Sequence, residues 1–145
     1  MAKLLLIGYI STIDLYIFNT LKEGIMKEVL DIGALKETIR SFASERQWEK
    51  FHSPKNISMA LSVEASELVE IFQWLSEKES YDIVKDNLVI EKVSDELADI
   101  LVYLVRISDL LGIDLQDAIT CKMKKNSLKY PVEKSKGNAK KYDEL

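Results

Sequence analysis

The fold of this chain is decided by residues 61–68, Leu-Ser-Val-Glu-Ala-Ser-Glu-Leu, and by residues 93–100, Val-Ser-Asp-Glu-Leu-Ala-Asp-Ile. Each segment follows the apolar period of a helix, and each is interrupted by two acids three positions apart. The acids are Glu64, Glu67, Glu96 and Asp99. A buried carboxylate without a partner is costly or takes up a proton. Two such pairs therefore predict a compensating positive charge.

Apolar residues at three- and four-residue steps predict four helices, so we expect an all-α, four-helix bundle-like fold. The predicted ranges are about 33–50, 56–76, 88–111 and 115–128. Pro54 disfavours helix at the residue before it, Gly112 suits a C-terminal cap and Asp114 an N-terminal cap. Residues 76–87 are expected to form a polar linker with a short helical turn.

The third predicted helix is apolar on nearly all sides from Leu97 to Leu111. A helix of this kind is buried on several faces. In a chain of 145 residues, which is the size of one domain, a subunit interface would provide that burial. We therefore expect the protein to be oligomeric.

Composition excludes several classes of protein. Two prolines and five glycines are too few for a loop-rich or all-β chain, and a net charge of -4 argues against a nucleic-acid binder. The single cysteine, Cys121, excludes an intramolecular disulfide and a cysteine-built zinc site. A cytoplasmic location is the default expectation.

The two ends of the chain differ from its middle, and we divide it into 1–30, 31–131 and 132–145. Residues 4–18 are apolar but shorter than a membrane span and interrupted by Asp14, so no stable membrane association is expected. The first segment is predicted to be an extension that packs on the core or on a partner chain. A start at Met26 and an amphipathic membrane anchor are the alternatives. The charged segment 132–145 is expected to be mobile.

The paired acids favour a metal site. Residues three apart share one helix face at about 5–6 Å between Cβ atoms, and antiparallel packing of the second and third helices would bring both pairs together. Oxygen-only ligands select hard cations such as Mg²⁺ or Mn²⁺, and Mg²⁺ is commonly shared with substrate phosphates. The alternative is that these acids are solvated or paired with lysines. A single acid pair in the sequence would favour this alternative. Two pairs in apolar stripes favour the metal.

A basic face and an aromatic group accompany the acids. Lys122, Asn126 and Lys129 fall on one face of the fourth helix, where they could meet phosphate oxygens or simply complement the helix dipole. Large rings surround the turn into the second helix and its far end, and they could stack on a base or belong to the core. This aromatic group consists of Trp48, Phe51, His52, Phe72 and Trp74.

Four segments carry a family resemblance in the order in which the family has them. They are RSFASERQWEKFHSPKN at 40–56, ALSVEASELVEIFQW at 60–74, ELADI at 96–100 and KMKKNSLKYP at 122–131. Together they resemble the all-α nucleoside triphosphate pyrophosphohydrolases of the MazG-like group, and most of all its dCTP pyrophosphatase branch. The resemblance spans about residues 35–131.

The resemblance implies hydrolysis between the α- and β-phosphates of a nucleoside triphosphate. The implied substrate is dCTP or a modified dCTP, and the implied role is to remove unwanted nucleotides from the nucleotide pool. It implies a homo-oligomer, usually a tetramer, whose sites borrow residues from neighbouring subunits. It implies Mg²⁺, with Mn²⁺ as a substitute, held by Glu64, Glu67, Glu96 and Asp99. The implied base pocket contains His52, Trp48 and Trp74. The implied phosphate ligands are Lys122, Asn126 and Tyr130, with Lys129 standing where many relatives have arginine.

Glu64 or Glu67 is the candidate catalytic residue, because a carboxylate of the cage could take a proton from the attacking water. Two alternatives remain at this point. The same fold also serves broad-specificity enzymes, dimeric dUTPases and phosphoribosyl-ATP pyrophosphohydrolases. A helical metal-binding assembly module without turnover would share the acids as well.

Overall fold

The computed structural model describes residues 30–144, and within that range every regular element is helical. The expected all-α fold is confirmed. The α-helices are α1 (Ile32–Glu45), α2 (Pro54–Phe72), α3 (Glu77–Asp82), α4 (Asn87–Leu110), α5 (Leu115–Lys129) and α6 (Val132–Ser135). Short 3₁₀ helices occupy Glu49–Phe51, Ile83–Lys85 and Tyr142–Glu144. The predictions about residues 1–29 lie outside the described residues.

Helix α1 ends five residues earlier than the predicted position, 50. The Trp48 N–H donates to Ala43 O at 2.9 Å and the Gln47 N–H to Ser44 O at 2.9 Å, which closes the helix in a Schellman motif. Gln47 takes the left-handed conformation, with φ of 53°, that glycine normally supplies. The prediction of a longer helix was wrong because a glutamine at this position gives no sequence signal for a helix end.

The other helix ends follow sequence signals. Ser53 caps α2, which opens on Pro54, and Asp114 caps α5 as predicted. Gly112, with φ of 64°, closes α4 as predicted. The segment expected to be a polar linker contains α3, which begins with a capping box between Ser76 and Glu79.

Helices α2 and α4 make the most extensive packing contact between the described helices. His52, just before α2, contacts Arg106 near the end of α4, while Glu67 lies beside Glu96 near its middle. The two helices are therefore antiparallel, as predicted. Helix α1 is joined to the end of α4 by an ion pair between Arg40 and Asp109.

The core of the described chain is small. Its buried hydrophobic side chains are Ile39, Ala43, Ile57 and Val105. Along α4, Leu97 is 52% exposed and Leu104 40% exposed, although this part of the helix is apolar on nearly all sides. The described chain therefore leaves uncovered much of the apolar surface that the sequence led us to expect to be buried.

The segment after Pro131 begins with α6 and ends with the 3₁₀ helix that contains Tyr142. The Tyr142 ring meets the Tyr130 ring edge-on at 6.1 Å between centroids, and Lys129 Nζ lies 4.6 Å from the Tyr142 centroid. The mobility of residues 132–145 and the domain boundary at residue 131 stay predictions. Within residues 30–144, no helix has the length and apolar character to cross a bilayer.

Candidate metal centre

Helices α2 and α4 bring three glutamates together. One carboxylate oxygen from each of Glu64, Glu67 and Glu96 can be chosen so that all lie within 4.8 Å of one another. The first two acids share a face of α2 because they are three residues apart, and antiparallel packing places the third opposite them. Glu64 and Glu96 are half-buried, whereas Glu67 is exposed.

Asp99, the fourth predicted ligand, lies outside that tight set and is exposed. It is still close enough for its charge to raise the pKa of both Glu64 and Glu96. Loss of hydration is the larger cause of each rise, and Glu67 adds to both. The four acids thus form one electrostatic cluster that disfavours its own negative charge. A cation bound among them would relieve that penalty.

The acid cluster has no positive side chain of its own among the described residues. The ion pairs there involve other acids, and none joins Lys122 or Lys129 to this cluster. The alternative of acids that are solvated or paired with lysines is not decided by this observation and stays a prediction. Because the donors are carboxylate oxygens alone, the cluster fits a hard divalent cation such as Mg²⁺ or Mn²⁺.

Tyr103 is a neighbour of the cluster that the sequence analysis missed. Partial burial raises the pKa of its phenol, and the charges of Glu64 and Asp99 raise it further. A signal was present, because Tyr103 follows Asp99 by four residues and so shares its helix face. The neutral phenol places a hydrogen-bond donor near the acids.

His52 is fixed by a residue that the sequence analysis also missed. Arg106 Nε donates to His52 Nδ1 at 3.2 Å, and Arg106 is only 7% exposed. Arg106 Nη1 lies 3.5 Å from Asp109, whose carboxylate receives two hydrogen bonds from Arg40, at 2.8 and 2.5 Å. The signal was a pair of ionisable residues within the most apolar part of α4.

Among the described residues, no ring contact joins Trp48 to Trp74, the two tryptophans of the expected base pocket. Trp48 is 44% exposed and meets the Phe42 ring edge-on at 5.8 Å between centroids. Trp74, just after α2, is 87% exposed. A shared base pocket built from His52 and both tryptophans therefore stays a prediction.

The basic face lies on α5 as predicted, with Asn126 half-buried between the exposed Lys122 and Lys129. The main-chain N–H of Tyr130 donates to Asn126 O at 2.9 Å, which closes the helix. Helix α5 makes only sparse contacts with the other described helices. The single chain thus assembles the acid cluster but does not bring the basic face against it.

Comparison with known proteins gives consistent matches. The profile of the MazG-like family matches residues 59–145. The chain is 42% identical to a Bos taurus protein and 38% identical to a Homo sapiens protein, both named dCTP pyrophosphatase 1. Each match extends over 104 residues, or 72% of this chain. The chain spans 62% and 61% of those relatives.

A solved structure is also similar to this chain. It is the crystal structure of a pyrophosphatase from Archaeoglobus fulgidus, which is 36% identical with a TM-score of 0.66. The match covers 72% of this chain and 95% of the archaeal chain. These matches confirm the resemblance found in the sequence, including its dCTP pyrophosphatase branch.

Proposed function

The chain belongs to the MazG-like family, and from this premise we propose that it is a nucleoside triphosphate pyrophosphohydrolase that prefers dCTP or a modified dCTP. The observation that carries the proposal is the set of three glutamates within 4.8 Å, built by two helices and lacking a positive partner among the described residues. The names of the relatives support the reaction and the base.

The proposed reaction is hydrolysis of the bond between the α- and β-phosphates. A water oxygen forms a bond to the α-phosphorus, the bridging P–O bond breaks, and pyrophosphate leaves from the nucleoside monophosphate. The carboxylate of Glu64 or Glu67 accepts the proton that the water gives up. This assignment draws on their place in the acid cluster, one half-buried and one exposed.

Glu64, Glu67, Glu96 and Asp99 would hold the divalent cation. We propose Mg²⁺, with Mn²⁺ as a substitute, because the donors are carboxylates and the substrate carries phosphates. When bound, the cation supplies neutralisation of the triphosphate charge and lowers the pKa of a water. Tyr103 can donate a hydrogen bond beside it, since its phenol stays neutral.

The remaining predicted residues are assigned to the two ends of the nucleotide. Lys122, Asn126, Lys129 and Tyr130 would bind the phosphates, while Trp48, Trp74 and His52 would bind the base. Stacking on an aromatic ring contributes about 1–3 kcal/mol per base. The 87% exposure of Trp74 leaves its faces open for such a contact.

The proposed assembly is a homo-oligomer, a tetramer by family analogy, in the cytoplasm. Two observations support it: the apolar side of α4 is uncovered, and α5 with its basic face makes only sparse contacts within the chain. A neighbouring subunit would cover the apolar side of α4. It could also bring the basic face of α5 to an acid cluster. Light scattering coupled to size exclusion tests this directly, and a monomer at micromolar concentration would contradict it.

The decisive experiment is a panel of canonical and modified nucleoside triphosphates, assayed with and without Mg²⁺ for the nucleotide product and for pyrophosphate. The proposal expects dCTP to be the best canonical substrate, with dCMP and pyrophosphate as products and no turnover after chelation. A preference for dUTP, for phosphoribosyl-ATP or for all triphosphates would keep the chemistry and change the substrate. If no substrate released pyrophosphate, the result would favour the alternative of a metal-binding helical module without turnover.

A further inference from the structure

The histidine at the entrance to α2 is held from two directions. The backbone around His52 is fixed, because the Asn56 side-chain amide donates to Phe51 O at 2.9 Å and Ser53 caps the helix. The ring is half-buried and receives the hydrogen bond from Arg106 Nε at its Nδ1 atom. Both the position and one ring nitrogen of His52 are thereby fixed.

A guanidinium group has only donors and keeps its proton at all relevant pH values. The ring nitrogen that faces Arg106 must therefore be an acceptor without a proton. In a neutral imidazole the proton then sits on the other nitrogen, Nε2. The hydrogen bond thus selects one tautomer of His52 and excludes the doubly protonated ring.

Arg106 is itself held by Asp109, and Asp109 is fixed in turn by Arg40 from another helix. Arg106 Nη1 lies 3.5 Å from Asp109 on the same helix, and Arg40 on α1 grips that carboxylate through both oxygens. The side chains of Arg106 and Asp109 are each 8% exposed. The chain of contacts from Arg40 through Asp109 to Arg106 leaves the guanidinium little freedom to turn away from His52.

Burial and the charge of Arg106 also disfavour the protonated form of His52. Partial burial lowers the pKa of the ring, and the charge of Arg106 lowers it further. Glu49, in the 3₁₀ helix just before it, acts in the opposite direction and more weakly. The ring is therefore neutral at physiological pH.

We infer that Arg106 is a positioning residue that locks His52 in the tautomer with its proton on Nε2, so that the ring offers the nucleotide a hydrogen-bond donor and not an acceptor. A donor at this point selects a substrate atom with a lone pair, such as a carbonyl oxygen or an unprotonated ring nitrogen of a base. The part of this inference that concerns the nucleotide rests on the proposed function, whereas the tautomer does not.

The test uses the fact that His52 is the only histidine of the chain. Nitrogen-15 NMR of histidine-labelled full-length protein therefore reports this ring without assignment. The expected spectrum between about pH 7 and 8 shows an unprotonated Nδ1 and a protonated Nε2 (a pH range above the ordinary histidine pKa of about 6.5). A proton on Nδ1, a mixture of tautomers or a charged ring at pH 7 would overturn the inference.

Two variants separate the hydrogen bond from the charge. In Arg106→Gln an amide nitrogen stands the same number of bonds from Cα as the arginine Nε, so it can still donate to His52. In Arg106→Met a methyl group stands there. We expect the single tautomer in the glutamine variant and a mixture in the methionine variant, with a raised His52 pKa in both because the positive charge is gone.

Arg46→Gln is the matched control, because Arg46 is an exposed arginine that contacts Phe42 and Glu45 but not His52. It should leave the His52 spectrum unchanged. The wild-type spectrum decides the tautomer by itself, so the inference can be overturned even if Arg106→Met does not fold. Equal tautomer mixtures in the glutamine and methionine variants, with both folded by circular dichroism, would also overturn it.

Kinetics tests the consequence for the substrate. Arg106→Met should raise the KM of the preferred triphosphate by about fivefold to tenfold, the value of one hydrogen bond, with a smaller change in kcat. Arg106→Gln should recover most of that loss. Equal KM values in Arg106→Met and wild type would overturn the role in substrate binding. Absence of turnover in the wild type would instead contradict the proposed function, and the NMR result would still decide the tautomer.

Discussion

Glu64 on α2 and Glu96 on α4 belong to different helices, yet their carboxylate oxygens lie within 4.8 Å of each other. Each carboxyl has a raised pKa, caused first by loss of hydration and then by the neighbouring acids. The protein thus holds like charges together at a cost in stability. That cost gives a direct way to test what the acid cluster binds.

Glu64→Gln should stabilise the metal-free protein, because it removes a negative charge from the cluster. The expected rise in Tm is about 1–4 °C, from the energy of like-charge pairs and the size of the domain. In the wild type, Mg²⁺ or Mn²⁺ at a hundred times its Kd should add about 2.7 kcal/mol to the free energy of unfolding. The variant should lose most of that gain and the hydrolysis with it.

The control for this experiment is Glu91→Gln, which removes an exposed acid from α4 outside the cluster. Differential scanning fluorimetry of both variants, with metal and after chelation, gives the comparison. A drop in the metal-free Tm of Glu64→Gln, or an undiminished response to metal, would contradict a cation site among these carboxylates.

The raised pKa values also predict how metal binding depends on pH. A carboxylate with a raised pKa keeps its proton to higher pH in the metal-free protein, and a bound cation must displace that proton. Metal affinity should therefore fall as pH decreases through the raised pKa values of Glu64 and Glu96. Calorimetry in buffers of different ionisation heat should detect proton release on metal binding, and this release should increase as pH falls into that range.

Asp99→Asn tests whether the exposed acid outside the tight set is a ligand. If Asp99 contributes an oxygen, the variant should weaken Mn²⁺ binding by at least about tenfold, as removal of even an outer partner of a metal site does. Titration calorimetry of Asp99→Asn against Glu91→Gln measures this. Equal Kd values for the two variants would restrict the site to the three glutamates.

Lys122→Met should raise the KM for a nucleoside triphosphate about tenfold or more, because hydrogen bonds to charged groups contribute about 1.5–3 kcal/mol. The affinity for the metal alone should not change. Lys124→Met is the control, since Lys124 lies two residues along α5 and so faces another direction. Steady-state kinetics of the two variants distinguishes a phosphate ligand from a general effect of positive charge. Similar KM values in both would contradict the assignment.

Asp109→Asn should lower stability by more than the roughly 1 kcal/mol of a surface ion pair, because the Asp109 side chain is 8% exposed. The hydrogen bond and the charge of Arg40 hold the pKa of Asp109 below its ordinary value of 3.8. Its stabilising contribution is therefore present above that value and is lost as pH falls through the lowered pKa. Urea unfolding from pH 3 to 7 (the range around the ordinary aspartate pKa) should show a constant difference from wild type near neutrality that shrinks at the acid end.

Much of the fold could be predicted from local patterns. The limits of α5 follow from the Asp114 cap and from Pro131 just beyond its last turn, and the end of α4 follows from Gly112, because these signals act within one turn of helix. The end of α1 could not be predicted, since Gln47 adopts a positive φ that its side chain does not favour. The closing bonds and the contact of Trp48 with Phe42 stabilise that turn.

The candidate site, like the fold, could be predicted in part from the sequence. The sequence by itself determined the paired acids of α2 and α4, because a spacing of three residues sets a shared helix face without any tertiary contact. Only the tertiary structure decided that Glu64, Glu67 and Glu96 converge while Asp99 stands slightly apart, and that Arg106 selects the tautomer of His52. Those relations join residues far apart in the chain, and they depend on the register between packed helices, which no local pattern encodes.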